Sequence, residues 1–210
     1  MYQSLLLDAS FFAQLLRCDQ DRANEVGQAG CAACGGVLHR ADYRRKPRGG
    51  PAGLEAEYAV RHSFCCAVEG CRRRATPPSL RFLGRKVYFS VVVLLLPILM
   101  EGPTPRRLAR LQEVFKVSLR TLRRWRQWWR ESFGATRFFA AARARFASPV
   151  AAETLPGGLL EAFGEVATLA DRVMAVLRFI LPVSGGSSAQ SAAAFCGSSE
   201  TRRRCDSTSE

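Results

Sequence analysis

The amino-acid sequence predicts a mainly α-helical protein with one small β element. Apolar residues recur at helical spacing in several segments of the 210-residue chain, which is typical of amphipathic helices. Five of the eight cysteines lie in two short segments around residues 31 and 66, and residues 58–66 have weak β character. Because hydrophobic residues make up 48% of the chain, it can bury a core and is not a wholly disordered basic protein.

The N-terminal part, residues 1–27, is predicted to form one helix that begins near residue 10. Asp8 and Ser10 can cap this helix, and Gly27 starts a turn region. The side chains near one face are apolar: Phe11, Phe12, Leu15, Leu16, Ala23 and Val26. No cationic segment or small-residue cleavage site marks a secretory signal, so we expect a cytoplasmic protein.

The cysteine spacing predicts a metal site. Cys31 and Cys34 form a C-x2-C pair followed by two glycines, and Cys66 and Cys71 form a C-x4-C pair. Thiols stay reduced in the cytosol, so a disulfide framework is not expected. Zinc binds four such ligands in a tetrahedron, which leaves no open position for a catalytic water. We therefore expect a closed, structural Zn²⁺ site in a zinc-ribbon-like module over residues 28–86.

Three other residues compete for the metal. Cys65 is an alternative to Cys66, because adjacent strand residues point to opposite faces and only one of the two can aim at the metal. His39 and His62 are weaker alternatives. The competing interpretation is a chance cluster of free thiols.

Two segments next to the cysteines have simpler interpretations. Residues 40–53, rich in Arg, Gly and Pro, are predicted to be a loop or a hairpin tip. Residues 87–100 are apolar, contain Pro97 and are too short to cross ~30 Å of hydrocarbon. We predict a buried helix there.

Residues 87–147 are predicted to contain a helix-turn-helix. Thr104 caps a helix with Pro105 in its first position, and Val117 and Ser118 form a tight turn before a second helix to about Phe133. One half of the second helix is apolar: Leu119, Leu122, Trp125, Trp128 and Trp129. The other half is polar and mostly basic: Arg120, Arg123, Arg124, Arg126, Gln127 and Arg130. Another helix is expected over 136–147.

This basic face indicates DNA binding, since the second helix of such a motif can enter the major groove, where arginine binds guanine or phosphate. A solvated charged face and a membrane-surface helix are the competing interpretations, and the tryptophans are expected in the core. The net charge is +8 over residues 37–86 and +9 over 101–147, but −2 over each of 1–36 and 148–210. Such blocks favour a polyanionic partner.

Residues 148–183 are predicted to be a C-terminal helical region. After a break at Pro156, one helix is expected from 159 to about 181, where Pro182 ends it. Its apolar stripe is a candidate surface for a homodimer. Residues 184–210 are rich in Ser, Gly and Ala and are predicted to be disordered.

In these two regions the chain resembles bacterial transposase-type DNA-binding proteins. The stretch FKVSLRTLRRW (115–125) is similar to their helix-turn-helix segments, in which a V-S-x-x-T-L-x-R-W core is frequent. The block over 61–88 resembles the zinc-ribbon leader that often precedes such a motif. The resemblance covers roughly residues 28–130.

The resemblance implies roles for particular residues. The metal positions are Cys31, Cys34, Cys66 and Cys71, and the DNA-facing start of the recognition helix is Ser118, Thr121, Arg123 and Arg124. One departure is Lys116, where such turns often carry glycine. A left-handed backbone at Lys116 would cost roughly 1 kcal/mol.

A larger departure is the absence of a catalytic half. Transposases of this kind use three spaced carboxylates on an RNase H-like core, and no run of strands after residue 130 can carry them. The acids that remain there lie on predicted helices or in the tail: Glu131, Glu153, Glu161, Glu165, Asp171, Glu200, Asp206 and Glu210. The alternative chemistry needs paired histidines, but His39 and His62 are 23 residues apart. We therefore expect no enzymatic activity.

The sequence as a whole predicts a mainly α fold with a small zinc-ribbon β element and a helix-turn-helix core, which binds double-stranded DNA without strand transfer. Phosphates are expected to be held by the basic face of the second helix and by Arg72, Arg73, Arg74 and Arg85. The alternative is a protein-interaction or structural module, a transposon-derived remnant that dimerises through its C-terminal helix. An enzyme that uses the zinc would need an open coordination position.

Overall fold

The computed structural model describes residues 2–100, 104–164 and 168–184, and it is mainly helical with two small sheets, which confirms the predicted class. The helices are α1 (Tyr2–Leu6), α2 (Ala9–Ala29), α3 (Ser90–Leu99), α4 (Pro105–Phe115), α5 (Leu119–Gln127), α6 (Arg137–Arg143), α7 (Gly157–Ala162) and α8 (Leu169–Phe179). A π-helical segment continues α5 over Trp128–Phe133, and short 3-10 turns occupy Ala56–Ala59, Ala152–Thr154 and Leu181–Ser184. No helix of the described ranges is long and apolar enough to span a membrane.

The strands are short and antiparallel. They are β1 (Leu38–Arg40), β2 (Tyr43–Arg44), β3 (Val60–Arg61), β4 (Phe64–Cys66) and β5 (Arg74–Ala75). One sheet has the order β1-β4-β5, with Leu38 opposite Cys66, and β2 pairs with β3 in the other. The weak β character over 58–66 therefore becomes two strands, and the predicted loop over 40–53 contains β2.

Helix α2 begins as its sequence predicts, but it continues past the predicted turn at Gly27 and ends at Ala29. The Asp8 carboxylate accepts hydrogen bonds from the backbone amides of Ser10 (2.9 Å) and Phe11 (3.4 Å), which would otherwise lack a partner. Gly30 ends the helix with a φ of +76°. The first half of α2 contributes Phe12 to the large core, and its last turns contribute Ala23 to a smaller core beside the cysteines.

Helix α3 is the centre of the large core and packs against α1, α5 and α8. All its residues except Ile98 are buried. The sequence predicts that this helix starts at Val87, but it starts at Ser90. The chain before Ser90 is extended and is held by Arg81 and Leu80. The Ser90 amide donates to the Arg81 carbonyl at 2.8 Å, and its hydroxyl donates to the Leu80 carbonyl.

A proline inside α3 is matched by a tryptophan from the π-helical segment after α5. Pro97 has no N–H to donate to the carbonyl of Val93, which is its partner in α-helical register. The indole Nε1 of Trp129 donates to that carbonyl at 3.0 Å, and Trp129 is fully buried. The missing backbone donor of one helix is therefore supplied by a side chain that follows the other.

A buried ion pair joins distant parts of the chain. Arg81 Nε donates to Asp19 Oδ2 at 2.8 Å, and the Leu80 amide donates to Asp19 Oδ1 at 2.7 Å. The Ser79 hydroxyl also donates to Asp19, and the Ser79 amide donates to the Ser184 hydroxyl at 2.8 Å. The remaining Arg81 nitrogens donate to the carbonyls of Glu57, Tyr58 and Val60.

The prediction of one helix over 159–181 is wrong. Helix α7 ends at Ala162, and α8 starts at Leu169 after Thr168, whose hydroxyl accepts a hydrogen bond from the Asp171 amide at 3.1 Å. The apolar periodicity runs through the break between the two helices because both helices bury their apolar stripes in the same large core. The buried residues are Leu159, Leu160, Val173, Val176, Leu177 and Ile180. Val166 of the predicted stripe lies outside the described residues. Burial within one chain accounts for this stripe without a second copy.

The predicted tail begins one residue too early. Ser184 is buried and accepts the hydrogen bond from Ser79, so it belongs to the folded part. The rest of the predicted tail, 185–210, lies outside the described residues.

We expect Trp129→Phe to destabilise the protein by about 1–3 kcal/mol beyond its packing cost, because the Val93 carbonyl is then buried without a donor. In a Pro97→Ala background the amide of residue 97 supplies that donor, so the same substitution should cost less. Urea unfolding of both single variants and the double variant measures the coupling. Trp125→Phe is the control and should be additive with Pro97→Ala; additivity for Trp129→Phe would disprove the pairing.

Candidate metal centre and arginine-rich surface

The first cysteine loop, residues 31–36, turns tightly after α2. The Cys31 amide donates to the Gly36 carbonyl at 2.8 Å, and the Gly35 amide donates to the Cys31 carbonyl at 2.7 Å. Gly35 has a φ of +70°, which favours glycine. Backbone amides of Ala33 and Cys34 hydrogen-bond the Cys31 sulfur and lower the pKa of this thiol to about 7.

The second cysteine loop connects β4 to β5. The Cys66 amide donates to the Arg73 carbonyl at 2.9 Å, and the Cys71 amide donates to the Val68 carbonyl at 3.1 Å. The two loops approach each other closely at Gly36, where a Cβ would lie 2.3 Å from Cγ2 of Val68. A side chain at Gly36 would therefore push the loops apart.

The four cysteines Cys31, Cys34, Cys66 and Cys71 bring their sulfurs within 4.8 Å of one another. The Cys31 and Cys71 sulfurs are 3.8 Å apart, and those of Cys34 and Cys66 are 3.4 Å apart. A tetrahedral ion with metal–sulfur bonds of ~2.3 Å separates its ligands by ~3.8 Å. The four thiols can therefore hold one metal ion with small adjustments.

The other predicted ligands lie outside this cluster. Cys65 follows the alternation of β4, and its sulfur is disulfide-bonded and so not free to bind the metal, which corrects the expectation that the thiols stay reduced. His39 is exposed on β1, opposite Cys65. His62 is buried with its Nδ1 3.3 Å from a carboxylate oxygen of Asp42. Of the two adjacent cysteines, Cys66 is the one placed among the other sulfurs.

Helices α4 and α5 meet at a tight turn. Lys116 has a φ of +50°, so it adopts the left-handed conformation that favours glycine. Val117 is buried, and the Ser118 hydroxyl accepts a hydrogen bond from the Thr121 amide at 3.2 Å, as expected of an N-cap. The Tyr88 hydroxyl donates to the Lys116 carbonyl at 3.2 Å and holds the turn against the core.

Helix α5 is divided into a buried and an exposed face. Leu122 and Trp125 are buried, as is Trp129 in the π-helical segment, so the expectation of a core role is confirmed for two of the three tryptophans. Trp128 is half-buried. The exposed basic side chains lie in the first two turns: Arg120, Arg123 and Arg124.

The remaining polar residues of α5 are either less exposed to solvent or already hydrogen-bonded. Thr121 and Arg126 are half-buried. Gln127 is exposed, but its Nε2 donates to Glu131 Oε2 at 2.8 Å. The strongest positive surface of α5 is therefore its N-terminal half.

Four more arginines were predicted to bind phosphates, and all are exposed: Arg72, Arg73, Arg74 and Arg85. Arg72 has a φ of +41° in the turn after Cys71. The guanidinium of Arg74 lies 6.0 Å from the ring centre of Tyr43 and donates to the Ser63 hydroxyl at 3.4 Å. Arg72 and Arg73 therefore lie in the loop that carries Cys71 of the four-cysteine cluster, and Arg74 in β5 lies next to β2.

Sequence reasoning missed Lys86, which connects the two basic regions. Its ammonium lies 3.7 Å above the ring of Trp128. Burial and the nearby positive charge of Arg124 lower the pKa of Lys86 to about 8. A single lysine carries no sequence pattern, so only the folded arrangement reveals its position beside α5.

We expect Cys34→Ser to abolish tight metal binding, because it removes one of four sulfurs at an exposed position where the substitution costs little packing. Native mass spectrometry should find one ion per wild-type chain and none in the variant. A chelator should lower the Tm of the wild type but not that of the variant. Cys18→Ser is the control, since Cys18 lies outside the cluster; equal metal content in all three proteins would contradict the site.

Comparisons of the chain with protein-family models, with curated proteins and with solved structures found no match. Functional conclusions therefore depend on the chemistry of the four sulfurs and of the arginine-rich surface.

Proposed function

We propose that this chain is a zinc-stabilised protein that binds double-stranded DNA. In this proposal α4, the turn at Lys116 and α5 form a helix-turn-helix, and α5 is the recognition helix. The observation that carries the proposal is the division of α5, with Arg120, Arg123 and Arg124 exposed opposite a buried apolar face. A firmly packed helix with an outward row of guanidinium groups suits a polyanionic groove.

Double-stranded DNA fits this surface better than double-stranded RNA. The major groove of B-DNA is about 12 Å wide and admits an α-helix, whereas that of an RNA duplex is too deep and narrow for side chains to read. Arginine can bind guanine through two hydrogen bonds or hold phosphates. The exposed Arg123 and Arg124 are the residues to which we assign these contacts.

The metal in this proposal is Zn²⁺ with a structural role. Four sulfur ligands at tetrahedral spacing suit zinc, and a closed set of four leaves no position for an activated water. The proposal of a zinc ribbon is supported by the position of the two cysteine loops beside the β1-β4-β5 sheet. Zinc binding would contribute folding free energy to this small part of the protein.

The resemblance to transposase-type proteins supports the same proposal. Lys116 departs from the glycine that is frequent in such turns, but its left-handed backbone is the conformation that favours glycine. The resemblance also implied the four cysteines that lie together. We therefore propose that the chain corresponds to the DNA-recognition part of such a protein and binds DNA without strand transfer.

We expect Arg123→Ala/Arg124→Ala to weaken binding to a fluorescent duplex by at least about tenfold, because each good arginine–base contact is worth ~1–3 kcal/mol. Fluorescence anisotropy measures the affinity, and circular dichroism checks that the fold is unchanged. The control is Arg17→Ala/Arg178→Ala, which removes two exposed arginines from α2 and α8. Equal affinities of the wild type and the α5 variant would refute the recognition helix, and preference for an RNA duplex would refute the choice of DNA.

A further inference from the structure

The segment that begins at the last residue of β2, which we call the basic arm (residues 44–48), has the sequence R-R-K-P-R and no acidic residue. Its exposure alternates: Arg44, Lys46 and Arg48 are exposed, whereas Arg45 and Pro47 are half-buried. In an extended chain alternate side chains lie on the same side, about 6.7 Å apart. The arm therefore presents three cations in a row.

The basic arm is anchored to the core by its inward arginine. Arg45 donates through Nη1 to the Gly84 carbonyl at 2.9 Å and through Nη2 to the Lys86 carbonyl at 2.7 Å. Its guanidinium also lies 5.0 Å from the ring centre of Phe82. One arginine thus holds the arm in place while its neighbours face solvent, which reduces the conformational entropy lost on binding.

The far end of the arm is fixed as well. The Arg48 amide donates to the Val87 carbonyl at 2.9 Å. Gly49, with a φ of +83°, follows at a close approach to α3, where a Cβ would lie 2.9 Å from Cγ1 of Val92. A glycine is needed there for the arm to lie against the core.

The arm connects the two basic regions described above. At one end Tyr43, next to Arg44, lies below the guanidinium of Arg74 in β5, which follows the second cysteine loop. At the other end Arg48 pairs with Tyr88, whose hydroxyl donates to the Lys116 carbonyl in the turn before α5. The arm therefore lies between the loop that carries Cys71 and the turn before α5.

Among the described residues, the outward cations of the arm have no ion-pair partner. Among residues 2–100, 104–164 and 168–184 the ion pairs join Asp42 to Arg40 and His62, and Asp19 to Arg81. None of them involves Arg44, Lys46 or Arg48. Three positive charges that lack an ion-pair partner among the described residues suit the phosphates of the duplex that α5 binds in this proposal.

We infer that the basic arm is a second DNA-binding element, in which Arg44, Lys46 and Arg48 bind backbone phosphates flanking the site occupied by α5. This inference rests on the proposed function of α5. The three cations extend over about 13 Å, or roughly four base-pair rises of B-DNA. Phosphate contacts do not read the sequence, so the arm adds affinity and orientation while α5 supplies any sequence preference.

The salt dependence of DNA binding tests the arm. Each phosphate contact contributes about 0.9 to the slope of log affinity against log salt concentration. Arg44→Gln/Lys46→Gln/Arg48→Gln should therefore make the slope shallower by about 2.7, and Lys46→Gln alone by about 0.9, with unchanged sequence preference. Fluorescence anisotropy with a random-sequence duplex between about 50 and 200 mM salt measures the slopes.

A matched control separates the arm from net charge. Arg17→Gln/Arg22→Gln/Arg178→Gln removes the same charge from α2 and α8 and should leave the slope unchanged. If the wild type binds DNA and the arm variants keep its slope, the arm inference is wrong and the α5 proposal stands. An equal change in the control also overturns the arm. If the wild type does not bind DNA, the proposed function itself fails.

Discussion

The buried pair of Asp19 and Arg81 is the interaction on which the arrangement of both candidate surfaces depends. Their side chains are 2% and 0% exposed, so removing one partner would leave an isolated charge in the core at a cost of about 3–5 kcal/mol. Asp19 belongs to the helix that leads to Cys31. Arg81 also donates to the carbonyl of Val60 in β3, the strand before the one that carries Cys66, and it precedes α3. One ion pair therefore sets where the cysteine loops lie relative to the large core.

The orientation of α5 depends on a second constraint, which is local to the core. Because Trp129 donates to the Val93 carbonyl, the chain that continues α5 is fixed in rotation as well as in position against α3. Rotation of α5 decides which side chains face solvent, so the exposure of Arg123 and Arg124 follows from a bond on the opposite side of the helix. Lys86 packs against Trp128 of this same element.

Local patterns predicted much of this structure, and long-range contacts explain what they missed. Helical periodicity was sufficient to predict α2 and the two faces of α5. Cysteine spacing was sufficient to predict the four-sulfur cluster. The Asp19–Arg81 pair joins residues 62 positions apart and leaves no periodic signal. The break between α7 and α8 was missed because both helices face one core. In the basic arm, sequence alone cannot show that Arg45 turns inward while Lys46 turns outward.

Helix α2 contributes to two cores, and this gives the molecule an uneven local stability. Phe12 lies among the many buried residues around α3, whereas Ala23 lies in a small cluster that includes two of the cysteines. Few apolar contacts hold the second half, so if the four sulfurs bind an ion, the amide protons of this half should exchange with solvent more readily once the ion is removed. The same helix would then be protected at its start and open at its end. The difference in hydrogen-exchange rate between the two ends of α2 would therefore report whether a metal ion is bound.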